Sequence, residues 1–559
     1  MNTIKHTLLS IILFLGVYPV SAQTDNPVIS AIQTEIDRNK TELKMEGVAP
    51  PFFISYMVFD RYDYSLSASL GSISSTNESR RRQGIPTLLV GNYHRNNLNV
   101  AAPGMSFPAL TSLNDNSGIA LTIWRDLDGV YKTAVERYRA KMAVLQQQTQ
   151  TKEEQDLPDF EQVKPVNIVL RPVPVEVNKT YWENYLRKAS EVAKQYPDIL
   201  SSSVSFTARN IMAYTYNTEG SRFAMPTTVY QLMFTANTRA DDGQELTNTI
   251  FVENATFQQM PDLATFTNRC KTVMENLLKL KNAPVMDDAY FGPVLFENEA
   301  AYRIFLNAFL NNNRLAASPK MVQPQQQNPM MMMTNQPQAQ GVNDFELMLN
   351  KKVISRDITI KSITGQEFYK GQRLNGYYPV DAEGVVPDKE LTLIENGVLR
   401  NMLNGRRPTK RIGQSNGHFR YDYTTNNFRV IPGNILITSS KTYSNEELRK
   451  RLIAAAKDED LEYAYIVRAM EGSALYLIYR IFVDDGREEL LRGATISDAA
   501  NIRAFKRILG VSNKELIASY GNSVQSTVIL PDAILFEEMD VARTPNIEFK
   551  KPYIVAKPK

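Results

Sequence analysis

The run Asn298-Glu299-Ala300-Ala301-Tyr302-Arg303 has the outline of a histidine–glutamate metal motif in which neither histidine is present. In such a motif the imidazoles hold a metal and the carboxylate takes a proton from metal-bound water. Here Asn298 is a poor zinc ligand, and Arg303 cannot be one because its guanidinium stays protonated. Read as a helix, the stretch "GPVLFENEAAYRIFLNAFLNNN" places Ala301, Ile304, Phe305, Ala308 and Phe309 on one apolar stripe. Glu299 then falls in the first turn, where the helix dipole favours a carboxylate whatever its other role. On the residues alone this is a packing helix, with Asn298, Glu299 and Arg303 in the positions where chemistry would be expected.

The remaining chemical inventory is thin. Three histidines and one cysteine are present. His94, in "NYHRNN", and His418, in "GQSNGHFRYDY", read as hydrogen-bonded structural residues, and His6 lies near the start of the chain. Cys270, in the helical "FTNRCKTVMENLLKL", reads as a small buried hydrophobe. No G-x-S-x-G elbow, Walker loop or Asp-rich EF-hand loop is present. Glu299 together with Asp287, Asp288 or Glu297 offers a carboxylate pair by sequence proximity only. No metal or cofactor set is assigned to this chain.

These residues must be positioned by a chain of 559 residues, 43% hydrophobic, with 63 Lys plus Arg against 60 Asp plus Glu. That near balance argues against nucleic-acid binding through a strongly positive field. The triplet Arg80–Arg82 reads as a solvated loop. The opening "MNTIKHTLLSIILFLGVYPVSAQTDNP" has a basic start, an apolar run from Leu8 to Val20 and small residues before Gln23. It reads as a secretory signal peptide, residues 1–22, which predicts an exported, periplasmic or extracellular protein. The run is short for a membrane span and no later segment approaches it, so none is expected after cleavage.

The pattern predicts an α+β protein. Residues 23–284 read as an N-terminal α+β domain: a helix over 28–44, strands in "FFISYMVFD" and "YSLSASLGSIS", and a helix over 123–150. A helix in "YWENYLRKASEVAKQYP", a hairpin-rich sheet and a helix over 262–281 complete it. Residues 285–559 read as a strand-rich C-terminal domain with one clear helix, "SNEELRKRLIAAAKDED", capped by Ser or Asn. Asn396-Gly397 marks a hairpin tip. Residues 318–344, rich in Pro, Gln, Asn and Met, read as a surface loop that cannot nucleate a core.

The order of "GPVLFENEAAYRIFLNAF", "RDITIKSI", "PVDAEGVVPDKELTLIENGVLRNMLNGRR", "SNGHFRYDYTTNNFRVIPGN" and "STVILPDAILFEEMDVAR" resembles the TldD/PmbA family. The D-x-E-G-V…LIENGVL and N-x-x-x-x-P-G blocks carry most of the likeness, which spans most of Gly292–Arg543. TldD-type members are metallopeptidases with H-E-x-x-x-H on this helix and a further Cys ligand near the C-terminus. The resemblance aligns Asn298 with the first His, Glu299 with the Glu and Arg303 with the second His, and "YGNSV" (Tyr520–Val524) has no Cys. The likeness is closer to the PmbA (TldE) side, whose subunits lack the motif and pair with a TldD-type chain. It implies an exported, non-catalytic subunit of a heterodimeric metallopeptidase, with zinc in a TldD-like partner and a peptide or unfolded polypeptide as substrate. The alternatives are a stand-alone exported peptidase with an unrecognised site and a peptide-binding protein.

Overall fold

The computed structural model describes residues 26–100, 109–110, 115–173, 175, 177–311, 313–322, 345–423, 425, 427–473, 475–496, 502–520 and 524–544. Residues 1–22, read above as a signal peptide, and most of the 318–344 stretch lie outside them. The chain is α+β.

The N-terminal sheet is an antiparallel run of long strands, β1 (Pro51–Ser69), β2 (Ser72–Val90), β3 (Ser201–Asn217), β4 (Arg222–Arg239) and β5 (Glu245–Asn254), ordered β2-β1-β3-β4-β5. Because side chains alternate, each strand serves two layers. Ile54, Tyr56 and Val58 of β1 face helices α1 (Pro27–Glu42) and α2 (Asn116–Gln147). Further along the same face, Tyr64, Leu66 and Phe206 pack under α3 (Lys179–Glu191) and α4 (Leu263–Lys281). The intervening residues Met57, Phe59 and Ile211 face the other way, against Val380 and Tyr421 of the C-terminal region. Helix α2 starts seven residues before the apolar periodicity suggested, because Asp115 caps it by accepting from the N–H groups of Ser117 and Gly118.

The solvated loop expected at Arg80–Arg82 is not there. These residues stand within β2, with Arg82 directly opposite Asp60 of β1. Arg82 is 2% exposed and its Nη2 donates to Asp60 at 2.6 Å, while Arg80 donates to the same carboxylate at 3.0 Å. A cross-strand carboxylate lets the sheet bury a guanidinium that a solvated loop would have left in water.

The C-terminal region builds two sheets. One contains β7 (Ile358–Ser362), β8 (Leu391–Glu395), β9 (Asn434–Ser439) and β12 (Ser526–Pro531) in the order β8-β7-β9-β12. The other contains β6 (Tyr290–Asn298), β10 (Tyr463–Ala469), β11 (Leu477–Phe482) and β13 (Ala533–Arg543) in the order β13-β6-β10-β11. Strand β6 shows why these strands read as continuous apolar runs. Val294 and Phe296 enter the core between the sheets, while Leu295 points outward beneath α6 (Asn445–Asp458). The Asn396-Gly397 tip has both residues in the left-handed region, at φ 46° and 78°.

Candidate functional site

Strand β6 runs straight into helix α5 (Glu299–Phe305), which is short and continues as a wide turn over Leu306–Leu310. Its buried residues, Ala300, Ala301, Ile304 and Phe305, fasten it between the sheets, and Phe305 and Phe309 stack at 4.8 Å between ring centres. Asn298, at the junction, adopts φ 54° and ψ −130°, a conformation that costs a non-glycine residue ~1–3 kcal/mol. Its N–H donates to the Asp532 carbonyl at 2.6 Å, and its side chain is exposed and caps nothing.

Glu299 points inward and is 7% exposed. Burial pushes its carboxyl up to about 7, partly opposed by the Arg303 guanidinium, reinforced by the Glu471 carboxylate and opposed again by the Gly472 N–H. Arg303 Nε and Tyr476 Oη are buried without hydrogen-bond partners. Burial raises the Tyr476 phenol to about 12, with Arg303 working against the rise and Glu299 adding to it. Arg269, from α4 in the N-terminal region, pairs with Glu471. Two acids, two guanidiniums and a phenol are thus grouped at the start of α5.

The turn at Glu471–Gly472 and the adjoining Ser473 are held from the N-terminal sheet. Phe251 N–H donates to the Gly472 carbonyl at 3.0 Å, and Ser473 Oγ donates to Asn248 Oδ1 at 2.6 Å. Gly472 sits at φ 71°, and a Cβ there would run into the Phe251 carbonyl oxygen, so this contact requires glycine.

Asn298, Glu299 and Arg303 are therefore adjacent, but they do not form a zinc-binding set. Arg303 brings a permanent positive charge beside the one carboxylate, and Asn298 presents no lone pair of zinc-ligand quality. Among the described residues, no group of three or more His, Cys, Asp or Glu is placed to hold a metal. Of Tyr520–Val524, where the resemblance places a Cys ligand, residues 521–523 lie outside the described residues. The carboxylate pair considered for Glu299 is not assembled: Asp287 and Asp288 are exposed, and Glu297 is taken up by Arg468 at 2.6 Å. The acid acting on Glu299 is Glu471, more than 170 positions away, and no local pattern announces it.

The other candidates resolve as structural. Cys270 is buried in the helical layer, where burial pushes its thiol up. His94 is exposed. His418 is 1% exposed; its Nδ1–H donates to Asn416 Oδ1 at 2.9 Å, which leaves Nε2 to accept from Ser362 Oγ at 2.9 Å. Burial drives its pKa down to about 3, so the imidazole is neutral.

A second polar cluster joins the two regions of the chain. Arg406, 0% exposed, donates to both carboxylate oxygens of Glu219 at 2.6 and 2.9 Å and to the Glu161 carbonyl. Its guanidinium lies 4.0 Å from the Phe160 ring centre and 5.3 Å from that of Phe53. Nearby, Asp381 accepts the N–H groups of Glu383, Val385 and Phe419. Burial, aided by Glu383, still lifts the Asp381 carboxyl to about 7 against those three donors.

Residues 290–543 match the family model described as the PmbA/TldA metallopeptidase C-terminal domain. Three solved structures share the fold across nearly the whole chain. A candidate modulator of a DNA gyrase from Thermotoga maritima is 15% identical, covering 91% of this chain and 100% of that one, with a TM-score of 0.53. TldE from Thermococcus kodakarensis is 14% identical, covering 92% and 100%, also at 0.53. A candidate modulator of DNA gyrase from Bacteroides thetaiotaomicron is 10% identical, covering 92% and 98%, at 0.54. A search of curated proteins found no match.

Proposed function

Because residues 290–543 form a domain of the TldD/PmbA metallopeptidase family, we propose that this chain is the exported, non-catalytic subunit of a heterodimeric peptidase. In this reading a TldD-like partner carries the zinc and performs hydrolysis. This chain completes the chamber and holds a peptide or unfolded polypeptide. The observation that carries it is the juxtaposition of Glu299 and Arg303: the carboxylate that would serve as general base is buried within the field of a guanidinium instead of beside a metal-ligating imidazole. Without a metal, a lone carboxyl neither polarises a scissile carbonyl nor lowers the pKa of water. The amino-terminal run that reads as a signal peptide supports export.

The test is metal content and peptidase activity of residues 23–559, alone and mixed with a TldD-like chain from the same source. Zinc well below one equivalent, with hydrolysis appearing only in the mixture, is the expected result. Stoichiometric zinc in the isolated chain would overturn the proposal.

One observation favours a second reading, a stand-alone peptidase. A carboxyl at about 7 is poised for general-base work near neutral pH. Hydrolysis by the isolated chain that survives chelators and is abolished by Glu299→Gln would establish it. Peptide binding without hydrolysis, alone or with a partner, would instead indicate a binding protein.

A further inference from the structure

A cavity of about 1030 Å³ lies where the end of β2, helix α2 and the C-terminal residues Ala382, Arg407, Phe419 and Phe428 converge. It is at the upper end of the ~300–1,000 Å³ typical of ligand sites. Ile85, Leu88, Leu98, Val130, Phe160 and Phe428 make much of its wall apolar. Three ionisable groups also line it: Arg137 from α2, Arg407 beside the buried Arg406, and the Glu383 carboxyl.

The contrast between the neighbouring arginines is informative. Arg406 has its donors satisfied by Glu219 and Glu161. Arg407 Nε is buried without a partner, and the guanidinium lies over the Phe419 ring at 5.4 Å. The acid whose charge reaches Arg407 is Glu383, but Glu383 Oε2 already accepts the Arg406 N–H at 2.7 Å. Burial also raises the Glu383 carboxyl, which weakens that compensation. Among the described residues Arg137 makes no ion pair, and burial lowers its pKa, as it does for Arg407. Two under-compensated cations in a confined space are costly unless an anion joins them.

The rest of the lining selects among anions. Ser55, Thr87, Asn99, Thr133, Asn217 and Asn427 supply donors and acceptors around the apolar wall. Thr133, Asn217 and Asn427 already bond within the chain, but Asn99 Oδ1 is buried without a partner, and a fatty acid would leave it so. A nucleic-acid strand would need an extended basic track, which a chain with a net charge of +3 and two guanidiniums at this site does not provide. A peptide end offers carboxylate, amides and apolar side chains together. Strand addition is a poor mode here: Pro86 has no N–H, and Asn97 already bonds the Leu88 carbonyl at 3.1 Å and the Val90 N–H at 2.8 Å. The contacts must come from side chains.

We infer that this cavity captures the C-terminal end of a peptide, with Arg137 and Arg407 on the terminal carboxylate. The inference rests on the peptide-handling function proposed above and specifies which end of the peptide is read. A charge-assisted contact of this kind discriminates an acid from its amide by about tenfold or more.

The experiment is fluorescence anisotropy with one unstructured decapeptide, labelled at its N-terminus, supplied as the free acid and as the C-terminal amide. It is run on residues 23–559 and on their complex with the TldD-like chain. The acid is expected to bind at least about tenfold tighter than the amide, and Arg137→Gln and Arg407→Gln should each reduce that ratio towards one. The acid–amide comparison on the unmodified protein stands even if Arg407→Gln fails to fold, and Arg137, on the helix surface, provides the second variant. Equal affinities, no binding of either peptide, or discrimination that survives both substitutions would overturn the inference. So would equally effective displacement by a medium-chain fatty acid or an oligonucleotide. An active pair with no acid–amide discrimination removes this inference and leaves the heterodimer; discrimination without any activity in the pair does the reverse.

Discussion

Replacing Glu299 with Gln should stabilise the protein at alkaline pH and leave it nearly unchanged in acid. Glu299 is 7% exposed and its carboxyl is pushed from the ordinary 4.5 to about 7, chiefly by burial. The folded state therefore holds its proton more tightly than the unfolded state. Stability is full below pH 4.5, falls as pH rises towards 7, and stays at the lower level above it. At about 1.36 kcal/mol per pH unit, the gap corresponds to ~3 kcal/mol, with little discount for screening at so buried a site. Gln reproduces the shape of the neutral carboxyl and keeps an acceptor for the Gly472 N–H. For a cooperative unit of the size of the C-terminal region, ~3 kcal/mol moves the melting temperature by roughly 6–12 °C. Thermal unfolding of both proteins at pH 4.5, 6 and 8 should give a difference that grows across the series. A constant difference, or a variant less stable at pH 8, would refute the assignment of a strained carboxylate at this position.

His418 behaves in the opposite sense. Its pKa is depressed from 6.5 to about 3, so its contribution is present above pH 6.5 and lost as pH falls towards 3, a span worth ~5 kcal/mol. His418→Gln should flatten the acid limb of a urea-denaturation profile between pH 6.5 and 4, and parallel profiles would count against a buried neutral imidazole. Arg406→Met should cost ~3–5 kcal/mol, because it strands the Glu219 carboxylate in the seam between the two regions. Adding Glu219→Gln should recover a large part of that loss. A single-variant cost below about 1 kcal/mol in urea denaturation would show the pair to be as weak as a surface bridge.

What could be read from the sequence was what local chemistry determines. The alternation of Val294 and Phe296 against Leu295 announces a strand buried on both faces. Ser444 announces a helix start, and its side chain accepts the Glu447 N–H at 3.2 Å. Asn396-Gly397 announces a tight turn, and both residues adopt the conformation that pair is suited to. Apart from the missed Asp115 cap of α2, the failures were long-range. Arg82 reads as solvated until Asp60 is placed across from it, 22 residues away. Glu299 reads as a dipole-stabilised first-turn acid until Gly472, Glu471 and Arg269 close over it. Arg406 is one of two successive arginines in a polar loop, and nothing nearby says that one will be fully paired and the other left facing a cavity.

The same distinction applies to how this helix is held in place. Ala300, Ala301, Ile304 and Phe305 are buried whether or not a ligand set stands beside them, so the fold does not depend on metal binding as small zinc domains do. The polar side of the helix sits in a near balance of charge. Glu299 faces Arg303, and Glu471 is paired with Arg269, so two acids offset two guanidiniums with no dication required. A zinc ion placed there would meet two fixed positive charges and would have to recruit a carboxyl that holds its proton up to about pH 7. Restoring histidines at 298 and 303 would remove one of those charges, Arg303, and leave Arg269 held by Glu471. The charges a zinc ion would meet there are therefore distributed across α4, α5 and Glu471, beyond the two motif positions.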